Sequence, residues 1–298
     1  MNIAITGGTG FIGKHVTQVL ANEGHHLYIL SRNPKETEQN HLHYVKWLSN
    51  GATPEDELPH IDAWINLAGK SIFTRWTRAA KKEILASRLE ATKEVRRIIE
   101  AKETKPSVLI QASAIGIYGT SLSHDFTEDS PPQDVDFLSH TSKLWEAEGK
   151  KLETLGIRTV FTRFGVVLGD QGTLPLMTLP YKLFAGGTIG SGSQWVSWVH
   201  VKDVARMIAF AIHQKNLSGP MNVTSPNPVQ MKQLGQTIAS VSHRPHWLKV
   251  PSFVIKTALG EMSLLVLKGQ RAIPKKALQF EYEYKFPQLE DAILHSKE

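Results

Sequence analysis

A glycine-rich turn near the amino terminus constrains the fold of this chain more than any other feature. The segment "AITGGTGFIGKHV" places the turn directly after a short β-branched run and at the start of a predicted helix, residues 11–22. Gly7 would permit a tight turn, Gly10 would let the backbone approach a pyrophosphate, and Gly13 would let helix and strand pack closely. The amino end of the helix adds free N–H groups and a partial positive charge. The turn therefore predicts a dinucleotide-binding site.

Short apolar segments alternate with helical patterns through the first two thirds of the chain. Strands are predicted at residues 2–6, 26–31, 62–69, 107–114, 158–169 and 219–225. Helices are predicted at residues 11–22, 77–102, 139–155 and 200–214, and two more helical stretches follow residue 230. Apolar strands separated by helices are typical of a parallel sheet that is covered on both faces. The pattern predicts an α/β fold with a Rossmann-like, doubly wound parallel sheet.

The character of the sequence changes after about residue 170, where prolines and glycines interrupt the pattern. Residues 1–170 are expected to form the nucleotide-binding domain, rejoined by parts of 200–225. Residues 171–298 are expected to form mainly a smaller C-terminal lobe, which would bind substrate and close over it.

The end of the second strand bears on which dinucleotide binds. NAD sites usually carry an acidic residue here for the ribose hydroxyl, whereas NADP sites use a basic residue for the 2′-phosphate. This chain has Ser31 and Arg32 at that point and no acidic residue before Glu36. Because arginine can pair with phosphate through two parallel hydrogen bonds, the sequence favours NADP. The alternative is that Arg32 is only a solvated turn residue.

A second arginine stands out on the long helix predicted at residues 77–102. Its apolar positions form one stripe, and Arg88 projects from the middle of that stripe. A charged group that faces a core is costly unless it is paired. A cofactor phosphate or the carboxylate of Glu83 could pair with it. The alternative is that its stem packs while its guanidinium reaches the surface.

The net charge of +6 is concentrated in one part of the chain. Residues 70–105 contain eleven Lys and Arg side chains against five Glu. A basic helical region suits the phosphate of a cofactor, of a nucleotide-linked substrate or of a polynucleotide. A solvated helix face accounts for most of these side chains, and no nucleic-acid partner is expected.

Composition narrows the class of protein further. The chain is 41% hydrophobic and 21% charged, which is ordinary for a globular protein. The lack of cysteine excludes disulfides and thiolate metal sites, and no metal site is predicted. No apolar run reaches the roughly 18 residues that cross a bilayer, and the first residues are expected to form a strand and not a signal peptide. The expected location is the cytoplasm, without membrane contact.

Three motifs in order, "TGGTGFIG", "NLAG" and "SAIGIYG", resemble the extended short-chain dehydrogenase/reductase superfamily. Longer segments narrow the resemblance to one atypical subfamily, the epimerase-family or nucleoside-diphosphate-sugar epimerase-like proteins with a characteristic C-terminal domain. These segments are "RWTRAAKKEILASRLEAT", "DFLSHTSKLWEAE", "GVVLG", "GGTIGSGSQWVSWVHVKD" and "LLVLKGQRAIPKKAL". The resemblance covers essentially the whole chain.

The resemblance implies NADP(H) as cofactor, a small-molecule substrate and a homodimer, since dimers are common in the superfamily. By motif, the cofactor contacts that it implies are Gly7, Gly10, Phe11, Ile12, Gly13, Ser31, Arg32, Leu67, Ala68, Glu83, Arg88 and Val167. This set agrees with the reading of Arg32 and Arg88 from charge alone.

The same resemblance leaves the catalytic residues open. The superfamily's usual set is Ser or Thr, Tyr and Lys, in which the lysine lowers the pKa of the tyrosine so that the phenolate takes a proton. Here Ser139 stands four residues before Lys143, where the tyrosine would be. A serine hydroxyl cannot serve as that base near neutral pH without further activation. Ser139 is instead predicted to cap the amino end of its helix.

Tyr118, Lys143 and Ser113 remain as catalytic candidates. Tyr118 is expected near the nicotinamide, with packing beside the cofactor as its alternative. Lys143 has the alternative of an exposed helix lysine. His200 is a candidate substrate contact or, more commonly for such a residue, a helix cap. Three further residues are candidates for the roof of the cleft or, alternatively, for core packing: Gln194, Trp195 and Trp198.

These features together predict an NADP(H)-dependent oxidoreductase or epimerase-like enzyme. It would transfer hydride to or from a small alcohol or ketone, with sugars among the candidate substrates. The missing tyrosine argues against ordinary sugar-nucleotide epimerisation, because a fold does not fix its function. The alternative is a non-catalytic NADP(H)-binding regulatory or scaffold protein.

Overall fold

A seven-stranded parallel sheet forms the centre of the protein. The structure, a computed structural model, describes residues 1–35 and 41–297. The strands of the sheet are β1 (Asn2–Thr6), β2 (His26–Ser31), β3 (Leu42–Lys46), β4 (Ala63–Asn66), β5 (Val108–Ala114), β6 (Arg158–Phe164) and β7 (Gly219–Val223). Their order across the sheet is β7-β6-β5-β4-β1-β2-β3, and every neighbouring pair is parallel. The order reverses beside β1, which confirms the Rossmann-like, doubly wound prediction.

Seven longer helices accompany the sheet within the described ranges. They are α1 (Phe11–Asn22), α2 (Arg78–Ala101), α3 (Phe137–Lys150), α4 (Thr173–Lys182), α5 (Val201–His213), α6 (Met231–Ser242) and α7 (Ser252–Leu259). Shorter helical turns lie at Pro54–Glu57, Ile115–Tyr118, Lys151–Leu155, Gly260–Ser263, Leu264–Leu267, Lys275–Gln279, Leu289–Leu294 and His295–Lys297. None of these helices combines the length and apolar character that a membrane crossing requires.

Helices cover both faces of the sheet. Successive strand residues point to opposite sides, so neighbouring residues of one strand pack against different helices. Ile3 belongs to a core cluster with Val16 of α1 and Ile208 of α5. The next residue, Ala4, belongs to a second cluster with Val95 of α2. The sheet is therefore buried on both faces, as its apolar strands predict.

Outside the central sheet, four short strand pairs organise the rest of the chain. They join Val166–Leu168 to Trp198–His200, Trp195–Val196 to Val229–Gln230, Gly187–Ile189 to Leu248–Val250, and Asp125–Phe126 to Arg271–Ala272. A third core cluster gathers side chains from α4, α6 and the C-terminal turn that includes Ile293. This cluster is built mainly from residues after 170 together with Leu168, whereas α5 and β7 belong to the layers of the central sheet.

The strands differ from the prediction at two places. β3 was not predicted, because in "LHYVK" only Val45 is buried and the strand lies at the edge of the sheet. The single strand predicted at residues 158–169 is broken at Gly165. A Cβ there would lie 2.2 Å from the carbonyl oxygen of Ser197, so only glycine lets the chain leave β6 and pair with Trp198–His200.

The start of α3 differs from the prediction as well. Its amino-terminal cap is Asp136 and not Ser139, and the helix begins at Phe137. Oδ1 of Asp136 accepts a hydrogen bond from the Ser139 N–H at 2.8 Å, and Oγ of Ser139 accepts from the Asp136 N–H at 3.0 Å. These reciprocal bonds form a capping box, so Ser139 supports the helix start from its third position.

Candidate active site

The glycine turn follows β1 and opens α1 as its spacing predicts. Gly7 has φ of 71°, and a Cβ there would lie 2.8 Å from the carbonyl carbon of Leu67. A Cβ on Gly13 would lie 2.1 Å from the Gly7 carbonyl oxygen, so the close approach of helix to strand requires glycine. Gly10 is the amino-terminal cap of α1, and its lack of a side chain leaves the first N–H groups without a side-chain acceptor. Those groups form a ready anion-binding surface.

A buried polar network underlies this turn. Oγ1 of Thr6 donates to Oδ1 of Asn66 at 2.6 Å and accepts from the Ala68 N–H at 3.3 Å. The Asn66 amide donates in turn to Thr92 at 3.1 Å and to Gln111 at 2.9 Å. The network fixes the segment after β4 against the turn. Sequence reasoning did not identify it, although its signal was visible as Thr6 and Asn66 at the carboxyl ends of two apolar strands and Gln111 within a third.

Ser31 and Arg32 lie at the carboxyl end of β2, which is the neighbour of β1. Oγ of Ser31 accepts from the Asn33 N–H at 3.2 Å and donates to the Asn33 carbonyl at 3.0 Å, which holds a compact turn. Arg32 is exposed, and no described carboxylate lies within ion-pair distance of it. The first acidic residue after β2, Glu36, lies outside the described residues. A cationic side chain therefore stands where the end of β2 meets the glycine turn.

Arg88 of α2 lies against the segment that follows β4. Its Nη1 donates to the carbonyl oxygens of Lys70 and Ile84, each at 2.9 Å. Its guanidinium carbon lies 5.1 Å from the centre of the Trp145 ring. Desolvation lowers the pKa of Arg88 to about 10, still well above neutral pH. The group is a half-buried cation beside the segment that follows β4.

Of the two possible partners of Arg88, Glu83 and a cofactor phosphate, Glu83 does not pair with it. Glu83 is exposed and forms an ion pair with Lys70 instead. Within the described part of the chain, no carboxylate pairs with Arg88, and its Nε and Nη2 have no hydrogen-bond acceptor. Two nitrogen atoms of the desolvated Arg88 guanidinium, Nε and Nη2, are thus available to donate to a ligand.

The remaining predicted cofactor positions lie near the edge of the sheet that is formed by the carboxyl ends of its strands. Phe11 packs across the segment after β6, where a Cβ on Gly169 would lie 2.7 Å from the Phe11 ring. Ile12 and Val167 pack at the margin of the core cluster around α1 and α5, and Val167 pairs with Val199. Because β1, β2 and β4 are adjacent, their carboxyl ends bring the predicted positions side by side.

Two of the catalytic candidates belong to a buried network next to this edge. Oγ of Ser113 donates to Oε1 of Glu146 at 2.6 Å, and Arg163 holds both oxygens of that carboxylate at 2.8 Å. Arg163 also donates to the Tyr118 hydroxyl at 2.8 Å, and that hydroxyl donates to Oδ1 of Asn222 at 2.7 Å. Burial raises the pKa of Tyr118 to about 12 despite the neighbouring Arg163. The geometry gives both hydroxyls positioning contacts and does not activate Tyr118 as a base.

Lys143 has a different environment. Its side chain is exposed on α3, and Nζ donates to Oδ2 of Asp134 at 3.2 Å. Hydrogen bonds from His140 and then from Lys143 lower the pKa of the Asp134 carboxyl. The hydroxyl of Ser139, one turn earlier, is occupied by the capping box. The Ser139–Lys143 pair therefore does not reproduce a hydroxyl activated by lysine.

His200 caps α5, with Nδ1 accepting from the Lys202 N–H at 3.2 Å. Burial lowers its pKa to about 4, so the imidazole is neutral. Of the two alternatives for Trp198 and Gln194, roof or core packing, the structure favours core packing. Both are buried, and they donate to carbonyl oxygens within the core of the C-terminal region. Trp195 stays partly exposed, with Arg271 over its ring.

Comparisons with known proteins match both parts of the chain. The model of the NAD dependent epimerase/dehydratase family matches residues 3–224, and a domain of unknown function, DUF1731, matches residues 250–296. Epimerase family protein YfhF of Bacillus subtilis is 64% identical over 98% of this chain and 97% of its own. Epimerase family protein SH2119 of Staphylococcus haemolyticus is 42% identical over 94% of each chain.

Solved structures of epimerase proteins also resemble this chain. Human epimerase family protein SDR39U1, solved with NADPH, superposes with a TM-score of 0.89 at 33% identity over 99% of both chains. A nucleoside-diphosphate sugar epimerase from Corynebacterium glutamicum gives a TM-score of 0.78 at 28% identity, over 99% of this chain and 58% of that one. The chain therefore belongs to the NAD-dependent epimerase/dehydratase family and has that family's fold for binding a nicotinamide dinucleotide.

Proposed function

We propose that the protein is an NADP(H)-dependent oxidoreductase or epimerase-like enzyme acting by hydride transfer on a small alcohol or ketone, with sugars among its candidate substrates. The observation that carries the proposal is the exposed Arg32 at the end of β2, the strand beside β1 and the glycine turn that opens α1. The NADPH named for the human relative supports it. Residues 1–170 with parts of 200–225 would hold the cofactor, and residues 171–298 mainly the substrate. A cytoplasmic location and a homodimer stay predictions.

The residues at the carboxyl edge fit such a cofactor. The N–H groups that open α1 would hold the pyrophosphate, and Gly10 leaves room for it because no Cβ intervenes. Arg32 would pair with the 2′-phosphate. Arg88 would direct its two unpaired donors to a ligand oxygen beside the segment after β4. When bound, the nicotinamide would supply or accept the hydride.

Hydride transfer from labelled cofactor tests the activity. The purified protein would be incubated with NADPH deuterated at the nicotinamide C4 and with a panel of aldehydes and ketones that includes sugar derivatives. The proposal expects deuterium in at least one alcohol product, from one face of the nicotinamide only. Mass spectrometry of the products would measure this. Binding of NADPH without transfer to any carbonyl in the panel would count against the enzyme.

Reduction of a ketone also needs a proton donor. Of the three predicted catalytic residues, Lys143 has its reacting atom exposed to solvent, whereas Ser113 and Tyr118 are buried. Replacing Lys143 with methionine is expected to lower turnover about a hundredfold or more while NADPH affinity stays the same. Steady-state rates on a substrate from the panel would measure this. Lys150→Met, on the same helix and also exposed, is the matched control, and equal losses in both variants would refute the assignment.

A second candidate function is an NADP(H)-binding regulatory or scaffold protein without catalysis. The observation that favours it is that three hydroxyls in this region already form hydrogen bonds within the protein. Ser139 belongs to the capping box, and Ser113 and Tyr118 donate to buried acceptors. The deuterium experiment separates the two functions, because a scaffold would bind NADPH and transfer nothing.

A further inference from the structure

Three side chains with metal-binding atoms meet at the edge of the sheet opposite to the glycine turn. Glu23 follows the last residue of α1, His25 lies just before β2, and His213 is the last residue of α5. Their ligand atoms all lie within 4.8 Å of one another. The glycine turn lies at the carboxyl end of β1, whereas this cluster lies where β2 begins. The cluster is therefore separate from the proposed cofactor site.

The distances within the cluster fit a single small metal ion. Nε2 of His25 and Nε2 of His213 each lie 3.3 Å from Oε2 of Glu23. Zn²⁺ binds imidazole nitrogen and carboxylate oxygen at about 2.0–2.1 Å with tetrahedral geometry, which separates neighbouring ligand atoms by about 3.3 Å. The two imidazole rings have centroids 5.7 Å apart and are tilted by 41°. Two of the three ligand separations thus already have the tetrahedral value.

The inner histidine, His25, lies close to Glu23 but forms no well-aligned hydrogen bond with it. Nε2 of His25 is buried and has no hydrogen-bond partner in the described part of the chain, although the Glu23 carboxylate lies close to it. A buried polar nitrogen is normally paired, because the loss of water around it is costly. A cation between the imidazole and the carboxylate would satisfy both groups.

Two helix ends and a carboxylate give the cluster negative charge, while the amino-terminal ammonium of Met1 lies 3.5 Å from Nδ1 of His25, on the other side of that ring. α1 and α5 both end at this cluster, and the carboxyl end of a helix carries a partial negative charge. The Glu23 carboxylate adds a full negative charge. The side chains of Glu23 and His213 are partly exposed, so an ion can enter from solvent.

We propose that Glu23, His25 and His213 bind Zn²⁺, with water as the remaining ligand, and so connect the end of α1 to the end of α5. Two imidazoles and one carboxylate suit Zn²⁺ better than Mg²⁺ or Ca²⁺, which prefer oxygen ligands throughout. This departs from the sequence prediction of no metal site. That prediction rested on the lack of cysteine, and the two histidines are far apart in the sequence.

Zinc titration of the tag-free full-length protein, after treatment with EDTA, tests the site. Calorimetry is expected to show about one Zn²⁺ per chain, bound with a Kd in the micromolar range or below. His25→Ala and His213→Ala are each expected to weaken binding about tenfold or more. Zn²⁺ should also raise the Tm of the wild-type protein and not that of the variants. Co²⁺ in place of Zn²⁺ should give the visible absorption of a tetrahedral site.

His60→Ala is the matched control, because it removes an exposed imidazole 3.4 Å from a single carboxylate, that of Asp62, outside the cluster. Its zinc affinity should equal that of the wild type. Glu23→Gln keeps the shape of the side chain and removes its charge, so it tests the site even where an alanine variant misfolds. The proposal is overturned if the wild type binds no Zn²⁺ below millimolar concentration, or if folded cluster variants bind it as the wild type does.

Discussion

Replacing Arg32 with alanine is expected to weaken NADPH binding about tenfold or more, a loss of at least about 1.4 kcal/mol, and to leave NADH binding unchanged. A hydrogen bond to a charged group contributes about 1.5–3 kcal/mol, and NADPH differs from NADH by the 2′-phosphate that Arg32 would hold. The side chain is exposed at the end of β2, so its removal should not disturb the fold. Calorimetry and tryptophan fluorescence with both nucleotides would measure the two affinities.

Lys35→Ala is the matched control for this experiment. Lys35 is an exposed cation in the same connection, so the variant loses the same charge without losing the proposed contact. It should retain the preference for NADPH. An equal loss in both variants would mean that general electrostatic attraction, and not a specific pair, selects the cofactor. A wild-type protein that binds NADH as tightly as NADPH would refute the NADP assignment.

Replacing Arg163 with methionine is expected to lower the free energy of unfolding by about 3–5 kcal/mol. Arg163 and Glu146 form a two-pronged ion pair, and both side chains are almost fully buried. The variant would leave the Glu146 carboxylate buried without its partner and remove a donor from the Tyr118 hydroxyl. Urea denaturation followed by circular dichroism would measure the loss.

A double variant separates the ion pair from other effects. Glu146→Gln together with Arg163→Met should recover most of the loss, because replacing both partners of a buried pair is often nearly neutral. Arg97→Met is the surface control. Arg97 holds Glu55 with two bonds of 2.6 and 2.8 Å but is about half exposed, so the expected loss is about 1 kcal/mol or less. A double variant no more stable than Arg163→Met alone would contradict this account.

The parts of the fold that could be predicted from the sequence rest on local signals. β1, the glycine turn and α1 follow from spacing within a few residues, and the buried strands follow from uninterrupted apolar runs. β3 escaped prediction because an edge strand buries little and carries no such run. The break at Gly165 depends on the carbonyl of Ser197, which only tertiary structure brings near. The capping box was missed because Asp136 precedes the loop–helix boundary that the apolar pattern suggested.

In the candidate site, too, one part could be predicted from the sequence and another could not. The predicted cofactor positions come from the ends of strands that the fold places side by side, so strand order alone brings them together. The network around Tyr118 could not be predicted, because its hydroxyl meets Asn222 of a strand that lies 104 residues away. The available signal was Arg163, a charged residue inside a strand that is buried along most of its length. The cofactor contacts themselves, the catalytic residues and the domain division stay predictions until they are measured.

The capping box at the start of α3 bears on how this chain could change over evolutionary time. Ser139 is fully buried, and its hydroxyl accepts hydrogen bonds from the N–H groups of Val135 and Asp136. A tyrosine placed there would lose those bonds and would bring a large ring into a space that a small side chain fills. Recovery of the superfamily's usual base therefore needs more than one substitution. In a lineage with this helix start, a single change of Ser139 to tyrosine would cost stability, and that cost opposes a return to the usual chemistry.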